Sequence, residues 1–199
     1  MSRWLIAVGF SLAGYLLGGV LFAVLLGRLG RHDVRAVGDR NPGAVNAFKA
    51  AGPVAGAAAL LLDFLKGAVP VGLARWVFGV EGWWLVPVAL APVLGHAFPL
   101  FARLRGGKAV AVTFGAWCGL TLWEGPTVLG VLLGLAWLVQ TVDAWNVVLA
   151  QLALGGWWLA RGADPVLLSV WAASAGVLAF KHRRELRRKP CRRKRRARC

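Results

Sequence analysis

The chain has 199 residues, 58% of them hydrophobic, with 11 tryptophans and a mean hydropathy of +0.63. A soluble domain is nearer about 45–50% apolar, and no polar block here is long enough to build a second core, so the composition excludes a soluble enzyme and indicates an all-α polytopic membrane protein. The net charge of +16 is unevenly spread: twelve of the 24 Lys and Arg lie from Lys181 onward, in a tail without an aromatic to stack bases, so no nucleic-acid partner is expected.

In chain order, the first apolar stretch runs over 4–28. It exceeds a signal h-region and lacks a convincing cleavage site, so it is expected to be a retained span. The polar segment that follows reads "VGDRNPGAVNAFKAAGP". Asn41-Pro42-Gly43 is a turn signal, because proline fixes one dihedral and glycine frees the next. Asn41 and Asn46 offer amide donors and acceptors, while Arg40 and Lys49 offer charge; the plain alternative is an ordinary turn with Asn46 as a local helix cap.

A second span is expected over 53–78. It carries Asp63 and Lys66, three residues apart and therefore on one helical face. Ionisable groups at membrane depth are costly and usually functional; a self-neutralising pair that only locks two helices is the other reading. The third span, 84–101, ends in "GHAFPLF", with His96 near its end. A lone histidine there is either a hydrogen-bonded core residue or a catalyst. "RLRGGKAVAV" follows, in which Arg105, Gly106, Gly107 and Lys108 would make an anion nest at the doorstep of the next span. It lacks the spacing of a nucleotide phosphate loop.

Further spans are expected over 109–123, 126–140, 145–160 and 165–181, divided at "WEGP" and "VDAW". The 26 glycines suit close helix packing, and tryptophans 83, 84, 123, 145, 157 and 158 fall near span ends. Five Lys or Arg lie in 28–50, three in 102–108 and twelve in the tail, against Arg3, Arg75 and Arg161 near the other ends. The positive-inside rule then puts the N-terminus outside and the C-terminus in the cytoplasm, which the seven spans satisfy and five would also. Residues 1–182 form the membrane domain and 183–199 a basic tail, expected to bind anionic lipid headgroups. Cys118, Cys191 and Cys199 match no zinc spacing, and neither a metal nor another cofactor is expected. A channel or transporter would line several spans with polar residues, which these spans lack.

"NPGAVN", "LLDFLKG", "GHAFP" and "RGGKAVA", in this order and spacing, resemble the bacterial acyl-phosphate-dependent glycerol-3-phosphate acyltransferases over roughly residues 10 to 185. The resemblance implies seven spans and transfer of an acyl group from acyl phosphate to the 1-hydroxyl of glycerol 3-phosphate. The product would be lysophosphatidic acid, for phospholipid synthesis in the cell membrane. It implies His96, Lys108 and Asn46 as catalytic residues. Arg40, Asn41, Gly43, Lys66, Arg105, Gly106, Gly107, His182 and Arg183 would bind substrate phosphates, with Asp63 in support. The family pattern differs at several positions: Asp39 stands for a serine, Val45 for a threonine, Lys49 for an arginine, Ala109 for a glycine and Glu185 for an asparagine. "TVDAWNVV" replaces a stretch with arginine and serines, and "GGVLF" a Gly-Ser-Ile-Pro. Asp39 is expected to repel a phosphate. The alternative function is an impaired paralogue that binds phosphorylated lipids or uses another phosphorylated acceptor.

Overall fold

The computed structural model describes residues 2–193. Its elements are α1 (Arg3–Gly18), α2 (Phe22–Leu29), α3 (Ala44–Gly72), α4 (Leu85–Ala97), α5 (Val110–Thr121), α6 (Glu124–Val139), α7 (Asp143–Ala160) and α8 (Pro165–His182). Among the described residues the only strand-like pairing is one bridge, Gln140 with Arg192. Among the described residues, four helical segments are long and apolar enough to cross a membrane: Arg3–Leu29, Ala44–Val77, Gly82–Ala102 and Pro165–His182. With α5, α6 and α7 they give seven passes, near the expected spans.

Two of those passes are less regular than their hydropathy predicts. The first is broken between α1 and α2, leaving the Val20 carbonyl outside either helix. A bare carbonyl in hydrocarbon costs several kcal/mol, and Lys66 Nζ answers it at 2.7 Å from the middle of α3. The second begins early. α3 starts at Ala44, inside the expected loop, but Gly52 adopts φ 87 and ψ 177 and splits it just before Pro53. The short piece before the break follows from a run of alanines and other helix-compatible residues after the Asn41-Pro42-Gly43 turn; the expected start at 53 is the start of the long piece.

Small residues set how closely the helices pack. On α3 and α5, Gly67 faces the Val112 carbonyl and Gly115 faces the Phe64 carbonyl, each so near that a β-carbon would collide with backbone. This lets α5 lie against α3 over its whole length. Deeper in, Trp117 of α5 stacks on Trp158 of α7 with ring centroids 5.5 Å apart. The outer surface is apolar: Leu12, Val54, Leu61, Leu135 and Leu152 are all exposed, as a lipid-facing exterior requires.

The loops sort to two ends. At one, Arg3 pairs with Glu81 at 3.2 Å and Arg161 with Glu124 at 3.7 Å. There Asp164 caps α8 by accepting from the Val166 amide at 2.7 Å, with Pro165 at the first helical position. At the other end lie residues 30–43, 98–109, 140–142 and 183–193. α5, with 12 residues, rises only about 18 Å, short of the ~30 Å hydrocarbon core. The loop before it therefore helps complete the pass.

The expected boundary at His182 coincides with the end of α8, but the next residues are not a free tail. Trp145 Nε1 donates to the Arg188 carbonyl at 2.9 Å, and the Thr141 amide to the Cys191 carbonyl at 3.0 Å. Arg193 stacks on Trp137 at 3.6 Å. Residues 183–193 thus form a strap across the α6–α7 connection. The rest of the expected headgroup-binding tail, 194–199, lies outside the described residues.

Candidate functional site at the loop end of the bundle

The site begins with a turn. Gly38 and Arg40 both take left-handed backbone, with φ 56 and 60, which folds residues 38–41 tightly enough for Asp39 to reach back. Asp39 Oδ1 accepts from the Asn41 amide at 3.2 Å and from Asn46 Nδ2 at 2.9 Å. Asn46 Nδ2 also donates to the Asn41 carbonyl at 2.8 Å. Asn46 is buried and acts as an internal brace of this turn, while the Gly43 carbonyl receives the first amides of α3, those of Asn46 and Ala47.

The other Asp39 oxygen, Oδ2, lies 2.6 Å from Lys108 Nζ. Lys108 also pairs with Glu185 Oε1, carried by the turn after α8. Three segments far apart in the chain thus meet on one ammonium. Asp39, expected to repel an anion at this place, is here paired with Lys108. Burial on its own would raise the Asp39 pKa, but the Lys108 ammonium and the Asn41 and Asn46 donors outweigh it and hold the carboxyl below its ordinary value. Burial likewise opposes the charge on Lys108, and the two carboxylates outweigh it, raising its pKa.

The Gly106–Gly107 segment is not the open amide nest the sequence implies. The Gly107 amide donates to the His96 carbonyl at 3.0 Å, and a β-carbon on Gly107 would strike the His96 ring. These glycines allow the loop to lie on the end of α4. The Gly106 carbonyl is held by Lys181 Nζ at 3.1 Å, and Lys181 also reaches the Ala97 carbonyl at 2.7 Å. Tyr15 Oη donates to the Phe98 carbonyl at 2.7 Å. Lys181 and Tyr15 were absent from the sequence-derived site. The lone tyrosine and a lysine in the last turn beside His182 were the available signals, but neither reveals its distant carbonyl partner.

His96 lies beneath this loop, 4% exposed, with Nδ1 3.7 Å from Asp63 Oδ1. Asp63 pairs with Lys66 at 2.6 Å. His96, Asp63 and Lys66 form a buried charge group that joins α3, α4 and the α1–α2 break, and the structure does not bring Lys66 to the loop surface. His182 is buried, with Nδ1 2.8 Å from the Leu178 carbonyl. Arg183 lies over Phe180 and bonds its carbonyl at 2.7 Å, outside the Lys108 cluster. Arg40 and Arg105 are exposed at the same end and make no ion pair among the described residues.

A helical membrane protein whose polar loops gather on one lysine, at one end of an apolar bundle, is the class these features define. The family description "Glycerol-3-phosphate acyltransferase" matches residues 8–189, and the chain belongs to that family. Glycerol-3-phosphate acyltransferase 1 of Thermotoga maritima is 36% identical over 188 residues, covering 87% of this chain and 93% of that protein. The crystal structure of PlsY, an integral membrane glycerol 3-phosphate acyltransferase, in its glycerol 3-phosphate form superposes with a TM-score of 0.85 at 28% identity, covering 92% of this chain and 90% of that one. Its lysophosphatidic acid form gives 0.81 at 27% identity over the same shares.

Proposed function

We propose that this protein transfers a fatty acyl group from acyl phosphate to the 1-hydroxyl of glycerol 3-phosphate, forming lysophosphatidic acid and inorganic phosphate. The observation that carries the reading is the convergence of Asn46, Asp39, Lys108 and the His182–Glu185 turn at one end of a bundle whose outer wall is lipid-facing. An acyl tail needs the wall and a phosphate needs the cation. In the step itself, the hydroxyl oxygen bonds to the acyl carbonyl carbon, the bond from that carbon to the phosphate oxygen breaks, and the departing phosphate takes the hydroxyl proton. The chain's own part is binding and charge stabilisation. Lys108 is the cation that meets substrate phosphate, with Arg40 and Arg105 as outer attraction. Asn41, Gly43 and Asn46 shape the first loop, Gly106 and Gly107 the second, and His182 and Arg183 the third edge. His96, Asp63 and Lys66 support the glycine loop from below.

In this reading the loop end faces the cytoplasm, the membrane is the plasma membrane, and the cations of the strap lie against anionic headgroups. The test is direct. Purified protein in lipid, given acyl phosphate and glycerol 3-phosphate, should release phosphate and form lysophosphatidic acid. Lys108→Ala should lower the rate by about 100-fold or more in protein that still folds, its thermal midpoint falling only as far as the loss of the Asp39 and Glu185 pairs requires. No product at any enzyme concentration would overturn the reading. It would leave the second one, a paralogue that binds phosphorylated lipids without acylating, which the double pairing of Lys108 favours.

A further inference from the structure

We propose that Glu185 is an internal competitor for substrate phosphate at Lys108, an inference that rests on the reading of this end as a phosphate-handling acyl-transfer site. Lys108 is largely shielded, its side chain 21% exposed, and two carboxylates already hold it. The two are not equivalent. Asp39 is fixed on both oxygens: Oδ1 by Asn41 and Asn46, Oδ2 by Lys108. Its turn is set by left-handed backbone at Gly38 and Arg40. Glu185 holds Lys108 through Oε1 from a turn beyond the end of α8. Of the two, Glu185 is the one that yields.

Charge balance makes the exchange necessary. Asp39, Glu185 and Lys108 together carry one net negative charge. A phosphate drawn to the same ammonium lies close to both carboxylates, within about 6 Å, where like charges oppose one another. Displacing Glu185 removes one of them. The released carboxylate has partners at hand: Arg184, Arg187 and Arg188 are exposed in the same turn and make no ion pair among the described residues. Arg188 also donates its amide to the Glu185 carbonyl at 3.0 Å, which keeps that turn closed around it. Glu185 therefore sets how strongly the site demands a phosphate before Lys108 is given up, and its effect belongs in substrate affinity.

The experiment measures binding of inorganic phosphate to the full chain in lipid by calorimetry. Unsubstituted protein is compared with Glu185→Gln, Glu185→Asp, Asp39→Asn and Lys108→Ala, and the KM for glycerol 3-phosphate is measured alongside. Glu185→Gln should bind phosphate about tenfold more tightly, the scale of one charged hydrogen bond removed from competition. Its KM for the acceptor should fall by a similar factor, the change showing in KM rather than kcat. Glu185→Asp draws the carboxylate back from Lys108 and should shift affinity in the same direction, so the proposal stays testable if Glu185→Gln folds poorly; Asp39→Asn, which keeps the Oδ1 acceptor, should shift it less. Lys108→Ala should abolish the gain when combined with Glu185→Gln. If Glu185 only secures the strap, Glu185→Gln lowers the thermal midpoint and binds phosphate no more tightly, and the competition is refuted. Tighter phosphate binding without acyl transfer in any protein would keep the competition and discard the acyltransferase reading. Acyl transfer with unchanged KM and phosphate affinity would do the reverse.

Discussion

At the scale of single residues, Lys108 gathers the ion pairs of the site and its neighbour Ala109 takes left-handed backbone. Ala109 sits at φ 62, ψ 14 and is buried, and its carbonyl receives both the Thr113 amide and Thr113 Oγ1. A left-handed residue with a β-carbon costs about 1–2 kcal/mol, part of which glycine returns through its looser unfolded chain. Ala109→Gly should therefore stabilise the protein by roughly 1 kcal/mol, read as a higher thermal midpoint. The pairing of Lys108 makes a second forecast, in pH. The Asp39 pKa is lowered on folding, so its stabilisation is complete above the ordinary value of 3.8 and is lost as pH falls below it. The Lys108 pKa is raised, so its stabilisation is complete below the ordinary 10.5 and is lost as pH climbs past it. These two contributions should be flat between those limits and lost outside them, so the acid limb of the thermal midpoint should be shallower in Asp39→Asn. An unchanged acid limb in that variant would separate Asp39 from the effect. Lys108 could be singled out in the sequence, as a lysine after two glycines at a span entrance. The partnership of Asp39 and Glu185 was not. Each reads as a misplaced negative charge until the fold brings both to the same cation.

At the scale of elements, periodicity and hydropathy were enough for the seven passes, since a run of apolar residues needs no partner to be read. The exceptions are all cases where a remote group completes an element. The α1–α2 break is tolerable because Lys66, 46 residues away, donates to Val20, and no local propensity encodes that. The glycine loop rests on His96 and Lys181 in the same way. The Asp63–Lys66 spacing was visible, but its use as a stitch for the first span was not. The stitch can be tested apart from catalysis. Lys66→Met removes the donor to Val20 and leaves Asp63 as an uncompensated buried charge, which should cost about 3 kcal/mol or more. Lys66→Met with Asp63→Asn removes that charge too and should be less damaging than Lys66→Met alone, by thermal unfolding in detergent. If the double variant is as unstable as the single one, the loss lies in the Val20 carbonyl rather than in the stranded carboxylate.

For the whole molecule, the decisive property is that its charge is polarised along the bundle axis. The loops at one end hold Arg40, Arg105, Lys108 and the strap, whereas at the other end Arg3 and Arg161 are paired with Glu81 and Glu124. In the proposed reading the positive-inside rule puts the cation-rich end in the cytoplasm, where phosphorylated water-soluble substrates would be at hand. The bundle fixes which loops share an end, and thiol labelling reads which compartment that end faces. Arg105→Cys and Arg161→Cys are each treated in intact cells and in inverted vesicles with an impermeant thiol reagent, against the background of the unsubstituted chain. Arg105→Cys should react only in inverted vesicles and Arg161→Cys only in intact cells. The reverse pattern would place Lys108 outside, away from cytoplasmic substrate, and the proposed function would lose its setting. Reaction of both from one face would contradict the odd number of passes itself. Removing residues after Lys189 extends the same test: it deletes the Cys191 carbonyl that holds Thr141 and the Arg193 contact with Trp137. That truncation should lower the thermal midpoint and loosen binding to anionic vesicles together, because the strap's cations are held in place by the contacts that pin it to the α6–α7 connection.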